Sequence, residues 1–135
     1  MIQSLNAKRL TGMDGNALDK ARELQDRTKR FAIRIINMFR ALPKTDEARI
    51  IGKQVLRSGT SVAANYRAAC RARSKAEFAA KMGIVVEEID ETVFWMELLV
   101  DAEIVPEPKM KELISEGNEL LAIFAASRKT AKLGN

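Results

Sequence analysis

The sequence contains no histidine, a single cysteine (Cys70), one tryptophan, one tyrosine and only three prolines in 135 residues. Each scarcity closes a route. Without histidine there is no imidazole for acid–base catalysis near neutral pH, no His–Cys zinc site and no Cys–His nucleophilic dyad. With one cysteine no intrachain disulfide can form. No stretch approaches the roughly 18 consecutive apolar residues of a membrane span, and Met1 to Asn16 has no apolar core of a secretory signal. The expected location is therefore cytoplasmic, with no membrane contact. Carboxylate chemistry is the main catalytic option left.

What is present is a chain that can bury a core. Apolar residues make up 47% and charged residues 30%, a balance suited to one helix-rich globular domain. Lys and Arg number 23 against 18 Asp and Glu, for a net charge of +5 and a pI near 9.6. That balance admits nucleic acid or another acidic partner without establishing one.

Periodicity gives the architecture. Residues 1–16 show no repeat and read as a loosely ordered leader, with the bundle domain over 17–132. Apolar side chains then recur at three- and four-residue intervals through Leu18, Leu24, Thr28, Phe31, Ile35, Met38 and Leu42, one face of a helix ending before Pro43. A second helix is expected from an N-cap at Asp46, with its stripe at Ile50, Ile51, Val55, Gly59, Val62, Tyr66 and Ala69. Ser74 to Glu77 has capping-box spacing and should start a third, whose face runs Phe78, Met82, Val85, Ile89, Val93, Met96, Leu99 and Ala102, ending near Ile104. Pro106 and Pro108 punctuate the entry to a fourth, carried by Met110, Leu113, Gly117, Leu120, Leu121 and Phe124. Four amphipathic helices with short connections predict an all-α, antiparallel up-down-up-down four-helix bundle.

Charge divides along this scheme. Residues 1–45 hold ten basic and four acidic side chains, and residues 46–74 hold six and two; residues 75–105 reverse the sign, with eight acidic and two basic. The first two helices are basic and the third acidic. Lys29, Arg30, Arg34, Arg57, Arg67, Arg71 and Arg73 are the candidates for contacting phosphates, since guanidinium forks make bidentate charge-assisted bonds. The competing reading pairs those cations with Glu87, Glu88, Asp90, Glu91 and Glu97, inside the bundle or between subunits. Only Tyr66 lies near the arginines, so base stacking on aromatic rings is not signalled.

The acidic third helix does not spell an enzyme. A carboxylate-bridged dimetal bundle needs Glu-x-x-His motifs, and a glycosidase-like pair needs a cleft that nothing here indicates. No catalytic, metal or cofactor residue is expected. Cys70 falls at a mostly apolar helical position and reads as an unreactive thiol. Apolar residues at the margins of the stripes, Ile33, Ile36, Phe39, Val86, Phe94, Leu98 and Ile114, are more than a monomer normally exposes and predict self-association.

Helix two is rich in small residues, and Ser58, Gly59, Thr60 and Ser61 precede Ala63, Ala64, Asn65 and Tyr66. Such side chains let another backbone approach closely and suit packing with hydrogen bonds more than ligand contact. The block Arg57-Ser-Gly-Thr-Ser-Val-Ala-Ala-Asn-Tyr-Arg67, followed by Arg71 to Phe78, resembles the family of four-helix-bundle proteins related to those encoded by intervening sequences of bacterial 23S ribosomal RNA genes. The resemblance extends from about residue 28 to 131, through Lys81, Ile84, Glu87, Asp90-Glu91-Thr92 and Phe94-Trp95. Ala63 stands where the family usually has Gly, and Ala68 where Glu is frequent. The resemblance implies a small non-enzymatic bundle assembling as a homopentamer, and connects it to nucleic acid through a related accessory protein of diversity-generating retroelements. It marks Ser58, Gly59, Thr60, Ser61, Asn65, Tyr66, Glu87, Glu91 and Trp95 as packing or interface residues.

Overall fold

The computed structural model describes residues 15–133, and among them every regular element is an α-helix. Helix α1 spans Gly15–Ala41, α2 Asp46–Ala69, α3 Lys75–Asp101 and α4 Glu107–Leu133. Of the leader expected over residues 1–16, residues 1–14 lie outside the described residues, while Gly15 and Asn16 open α1. At 24 to 27 residues each, the helices are roughly 36–40 Å long.

Local chemistry sets the ends. Thr45, in extended backbone, caps α2 by accepting a hydrogen bond from the Ala48 amide. Asp46, the cap expected from the sequence, is instead the first helical residue, where its charge favours the positive end of the helix dipole. Ser74 caps α3 as expected, its hydroxyl accepting from the Glu77 amide at 3.0 Å. The Glu77 carboxylate accepts from Arg73 Nε at 3.4 Å. Helix α3 stops three residues before the expected end, because Glu103 adopts a left-handed backbone with φ 60°. The Ile104 and Val105 amides then return to the Leu99 carbonyl, and Val105 is buried.

The core is a heptad-like interior. On α2 the buried positions 48, 52, 55, 59, 62, 66 and 69 alternate steps of four and three, with Ser58 buried beside them. Ile50, placed on this stripe from the sequence, is 65% exposed; Ala48 and Gly52 take the inward positions instead. Ala102 is exposed and Leu121 only half-buried, whereas Met82, Val85, Ile89, Val93, Met96 and Leu99 on α3, and Met110, Leu113, Leu120 and Phe124 on α4, are enclosed as expected. Thr28, Ser58 and Thr92 are the buried polar side chains. Thr92 Oγ1 donates to Ser58 Oγ at 2.9 Å and lies 2.7 Å from the Glu88 carbonyl, while Ser58 donates to the Gln54 carbonyl at 2.9 Å. Each hydroxyl is thus satisfied without water.

Glycines fix the close approaches. Gly52 faces Leu42 and Phe39, and Gly59 faces Ile35; Gly117 faces Val93 and Met96, and Gly83 lies under the Arg128 guanidinium. As α1 descends from Phe39 to Ile35, its α2 partners rise from Gly52 to Gly59, so the two helices run antiparallel. The same reversal holds between α3 and α4. Contacts are dense along α1–α2, α2–α3 and α3–α4 and sparse between α1 and α4.

Gly59 and Gly83 are expected to respond oppositely to alanine. A Cβ at Gly59 would sit 2.9 and 3.0 Å from Cγ1 and Cγ2 of fully buried Ile35, atoms too close to the backbone to swing away. Overpacking of about 1–3 kcal/mol then exceeds the roughly 1 kcal/mol gained in helix propensity. At Gly83 the nearest atom is Arg128 Nε at 3.3 Å, on a flexible side chain, so the propensity gain should prevail. Urea unfolding of G59A and G83A checks the sign of each.

Candidate functional site

The candidate cations of the two basic helices separate into three environments. Arg57 reaches across to α3, where it pairs with Glu91 and, at 3.4 Å, with Glu88. Arg73 pairs with Glu77 one turn on. Both are engaged by carboxylates of α3; Glu88 and Glu91 belong to the set expected from the sequence to pair with the cations, whereas Glu77 does not.

Arg30 and Arg34 lie on the α4 side of α1, beside a latch that the sequence did not reveal. Arg27 makes a two-pronged bond to Glu116, Nε to Oε2 at 2.8 Å and Nη2 to Oε1 at 2.7 Å, and reaches Glu119 at 3.1 Å. It bridges the sparse α1–α4 seam. Hydrogen bonding to Arg27, aided by the fields of Arg27, Arg34 and Arg30, holds the Glu116 carboxyl below the usual glutamate range against the opposing effect of burial. Because the folded-state value is depressed, this contribution to stability is fully present above the unfolded value of about 4.3 and is lost as pH falls through the lower folded value. Thermal melts across pH 2.5–6 should therefore show an acid limb that is shallower in E116Q than in the parent protein.

The third environment is a groove between α1 and α2 of about 550 Å³, lined by Gln25, Asp26 and Lys29 from α1, by Thr60, Ala63, Ala64 and Arg67 from α2, and by Arg71 in the turn that follows α2. Lys29, Arg67 and Arg71 are exposed and have no carboxylate within ion-pair distance among the described residues. Arg67 stands on the last turn of α2 and Arg71 in the turn just beyond the helix end, and Lys29 faces them from α1. Asp26 is the one acidic side chain lining the groove. Ala63 and Ala64 keep that wall shallow.

The small-residue block of α2 divides between two neighbours. Ser58 points into the bundle toward Thr92, and Gly59 against Ile35. Thr60 Oγ1 donates to the Leu56 carbonyl at 2.7 Å, and Asn65 Nδ2 to the Ser61 carbonyl at 2.9 Å, so both side chains serve their own helix. Tyr66 is buried with its ring 4.9 Å from that of Phe124, and burial pushes its phenol far above the ordinary value. Burial likewise raises the Cys70 thiol, the largest influence on it, with Tyr66 and Gln25 hydrogen bonds opposing. The thiol form dominates at neutral pH, consistent with an unreactive cysteine.

On α3, Glu87 is exposed, Glu91 holds Arg57, and Trp95 is half-buried with Nε1 enclosed and without a hydrogen-bond partner. Its ring meets that of Phe94 edge-on, centroids 5.0 Å apart, and Phe94 is 53% exposed. Among the described residues no three Cys, Asp or Glu side chains gather to hold a metal ion, and no helix is long and apolar enough to cross a membrane.

Comparison with known proteins places this geometry. No curated protein matches the chain. A solved structure from Bacteroides thetaiotaomicron, described as a protein of unknown function from the S23 ribosomal protein family, superposes with a TM-score of 0.76 at 33% identity, covering 82% of this chain and 99% of its own. Residues 20–126 match the family described as 23S rRNA-intervening sequence protein, a span that contains the α1–α2 groove, the Arg57 ion pairs and the Arg27 latch. With that span covering most of the chain and a shared four-helix fold, the protein belongs to the 23S rRNA-intervening sequence protein family.

Proposed function

We propose that the protein is a non-catalytic accessory bundle that associates with nucleic acid through the outer face of α1 and α2. The observation that carries this reading is the unequal use of charge. Carboxylates of α3 and α4 engage Arg57 and Arg27, while Lys29, Arg67 and Arg71 converge on one groove whose single acidic lining residue, Asp26, is within ion-pair distance of none of them. Uncompensated cations on rigid helices attract phosphates, whose bound counterions are released on contact. Fluorescence anisotropy with a labelled RNA hairpin at 50 mM salt tests the reading. Saturable binding in the micromolar range or tighter is expected; no change in anisotropy at tens of micromolar would overturn it.

A second observation favours self-assembly, which the bundle would use with or without nucleic acid. Ile84 and Phe94 on α3 are 45% and 53% exposed, and Leu98 and Trp95 border them. Helical spacing puts Ile84, Phe94 and Leu98 on the side of α3 turned from its core, interleaved with Glu87 and Glu91. This face is the proposed subunit contact. Five copies is the number that the family resemblance implies.

A further inference from the structure

We infer that the α1–α2 groove is a docking track for the phosphate backbone of double-helical nucleic acid, engaged without contacts to bases. The inference rests on the nucleic-acid reading above and specifies its ligand.

Three features of the groove select a duplex. First, its cations are held at fixed separations. Arg67 stands on the last turn of α2, and Arg71 follows in the turn just beyond it, its amide donating to the Ala68 carbonyl at 3.1 Å. Lys29 faces them from α1, and the two helices are locked together by Gly59 against Ile35 and Gly52 against Phe39.

Second, no aromatic ring opens into the groove. Tyr66 and Phe31, the rings nearest in sequence to its cations, are 4% and 1% exposed. The accessible ring, Phe94, is on α3 among carboxylates. Single strands are commonly held by stacking bases on such rings, whereas duplexes keep their bases stacked inside and present phosphates.

Third, the cationic track spans most of a duplex turn. Helical spacing carries the face bearing Arg67 back through Thr60 to Lys53 and Arg49, both exposed and without an ion-pair partner among the described residues. From Arg49 to Arg67, the last of these cations on the helix, the rise is about 27 Å, against about 34–36 Å for one turn of B-form duplex; Arg71, in the turn beyond the helix end, extends the track a little further. A straight helix can therefore lay its cations along one face of a duplex over most of the distance between successive groove crossings. The shallow wall at Ala63 and Ala64 lets a backbone seat between α1 and α2.

The test compares a 20-base-pair RNA duplex, a DNA duplex of the same sequence and an unstructured 20-nucleotide strand, each titrated between 50 and 200 mM salt. K29A/R67A/R71A removes the three groove cations; K75A/K111A/K129A removes three exposed charges from α3 and α4; K29R/R67K/R71K keeps the charge. The wild-type protein is expected to prefer duplex. Three phosphate contacts contribute a log–log salt slope of about −2.7, or about 40-fold in affinity over that range. The groove variant should lose that component while the other two keep it. Circular dichroism checks that the helices persist. Duplex binding with the same slope in K29A/R67A/R71A as in K75A/K111A/K129A would overturn the groove and leave the nucleic-acid reading standing. Equal or tighter binding of the single strand would overturn the duplex assignment. Failure of the wild-type protein to bind any of the three would defeat this inference and the broader reading together.

Discussion

Replacing Phe124 by alanine is expected to lower the unfolding free energy by about 3–5 kcal/mol, the cost of deleting a fully buried aromatic side chain whose cavity only partly collapses. Phe124 is 0% exposed and packs its ring against Tyr66. The loss therefore includes the ring–ring contact, about 0.5–1.5 kcal/mol. It also loosens α4 from α2 across the bundle, where α4 has α3 as its main support and only a sparse seam with α1. Chemical denaturation should give a lower midpoint with an unchanged slope, and the melting temperature should fall by roughly 10–20 °C. Phe124→Leu, which fills most of the space, should recover a large part of the loss. A melting temperature within two or three degrees of the parent for F124A would show that the packing between α2 and α4 is looser than described.

The second large effect concerns assembly. Phe94→Glu is expected to convert an oligomer to monomers at micromolar concentration while leaving helical content intact. Phe94 is 53% exposed within one chain, so folding does not depend on enclosing it. Between subunits the outcome differs. Central aromatic residues at interfaces cost about 2 kcal/mol or more on truncation, and a closed ring multiplies that cost over every contact. The new carboxylate would join Glu87, Asp90, Glu91 and Glu97 on an already acidic helix, adding repulsion to the lost burial. Light scattering coupled to size-exclusion chromatography reads the mass directly. A wild-type protein that elutes as a stable monomer would refute the assembly reading, and an F94E variant that keeps the parental mass would move the contact to another face.

The helical architecture was legible in the sequence because it depends on spacing that survives without a structure. Capping residues, prolines and three-four periodicity located four helices to within a few residues. The misplacements have physical causes. Ile50 looked like a core residue by hydropathy, but the rotation of α2 is set by its closest approaches to α1, and those need Ala48 and Gly52 facing inward. The end of α3 was misjudged because a left-handed cap normally announces itself with glycine, and here Glu103 adopts that conformation.

The site was legible only as a composition. Segregation of basic and acidic helices was plain from residue counts, but which arginine meets which carboxylate depends on how neighbouring helices rotate. Arg57 and Arg67 are ten residues apart in one block and differ by about 80° around the helix, enough to send one toward α3 and the other toward α1. The Arg27–Glu116 latch joins residues 89 apart in sequence, and no local pattern foretells it. Gln25 and Asp26 line the groove for the same reason and were equally invisible.

Arg57 and Arg67 therefore test the central claim, that charge on the basic helices is divided between holding the bundle together and meeting phosphates. The decisive measurement is duplex RNA affinity of R57A and R67A side by side at 50 mM salt. Arg57 pairs with Glu88 and Glu91, so its removal should leave affinity within about twofold of the parent and cost at most about 1 kcal/mol of stability. Arg67 opens onto the groove, and its removal should weaken binding and reduce the salt slope by about 0.9 with no loss of stability. Weakening by R57A with R67A unchanged would contradict the account.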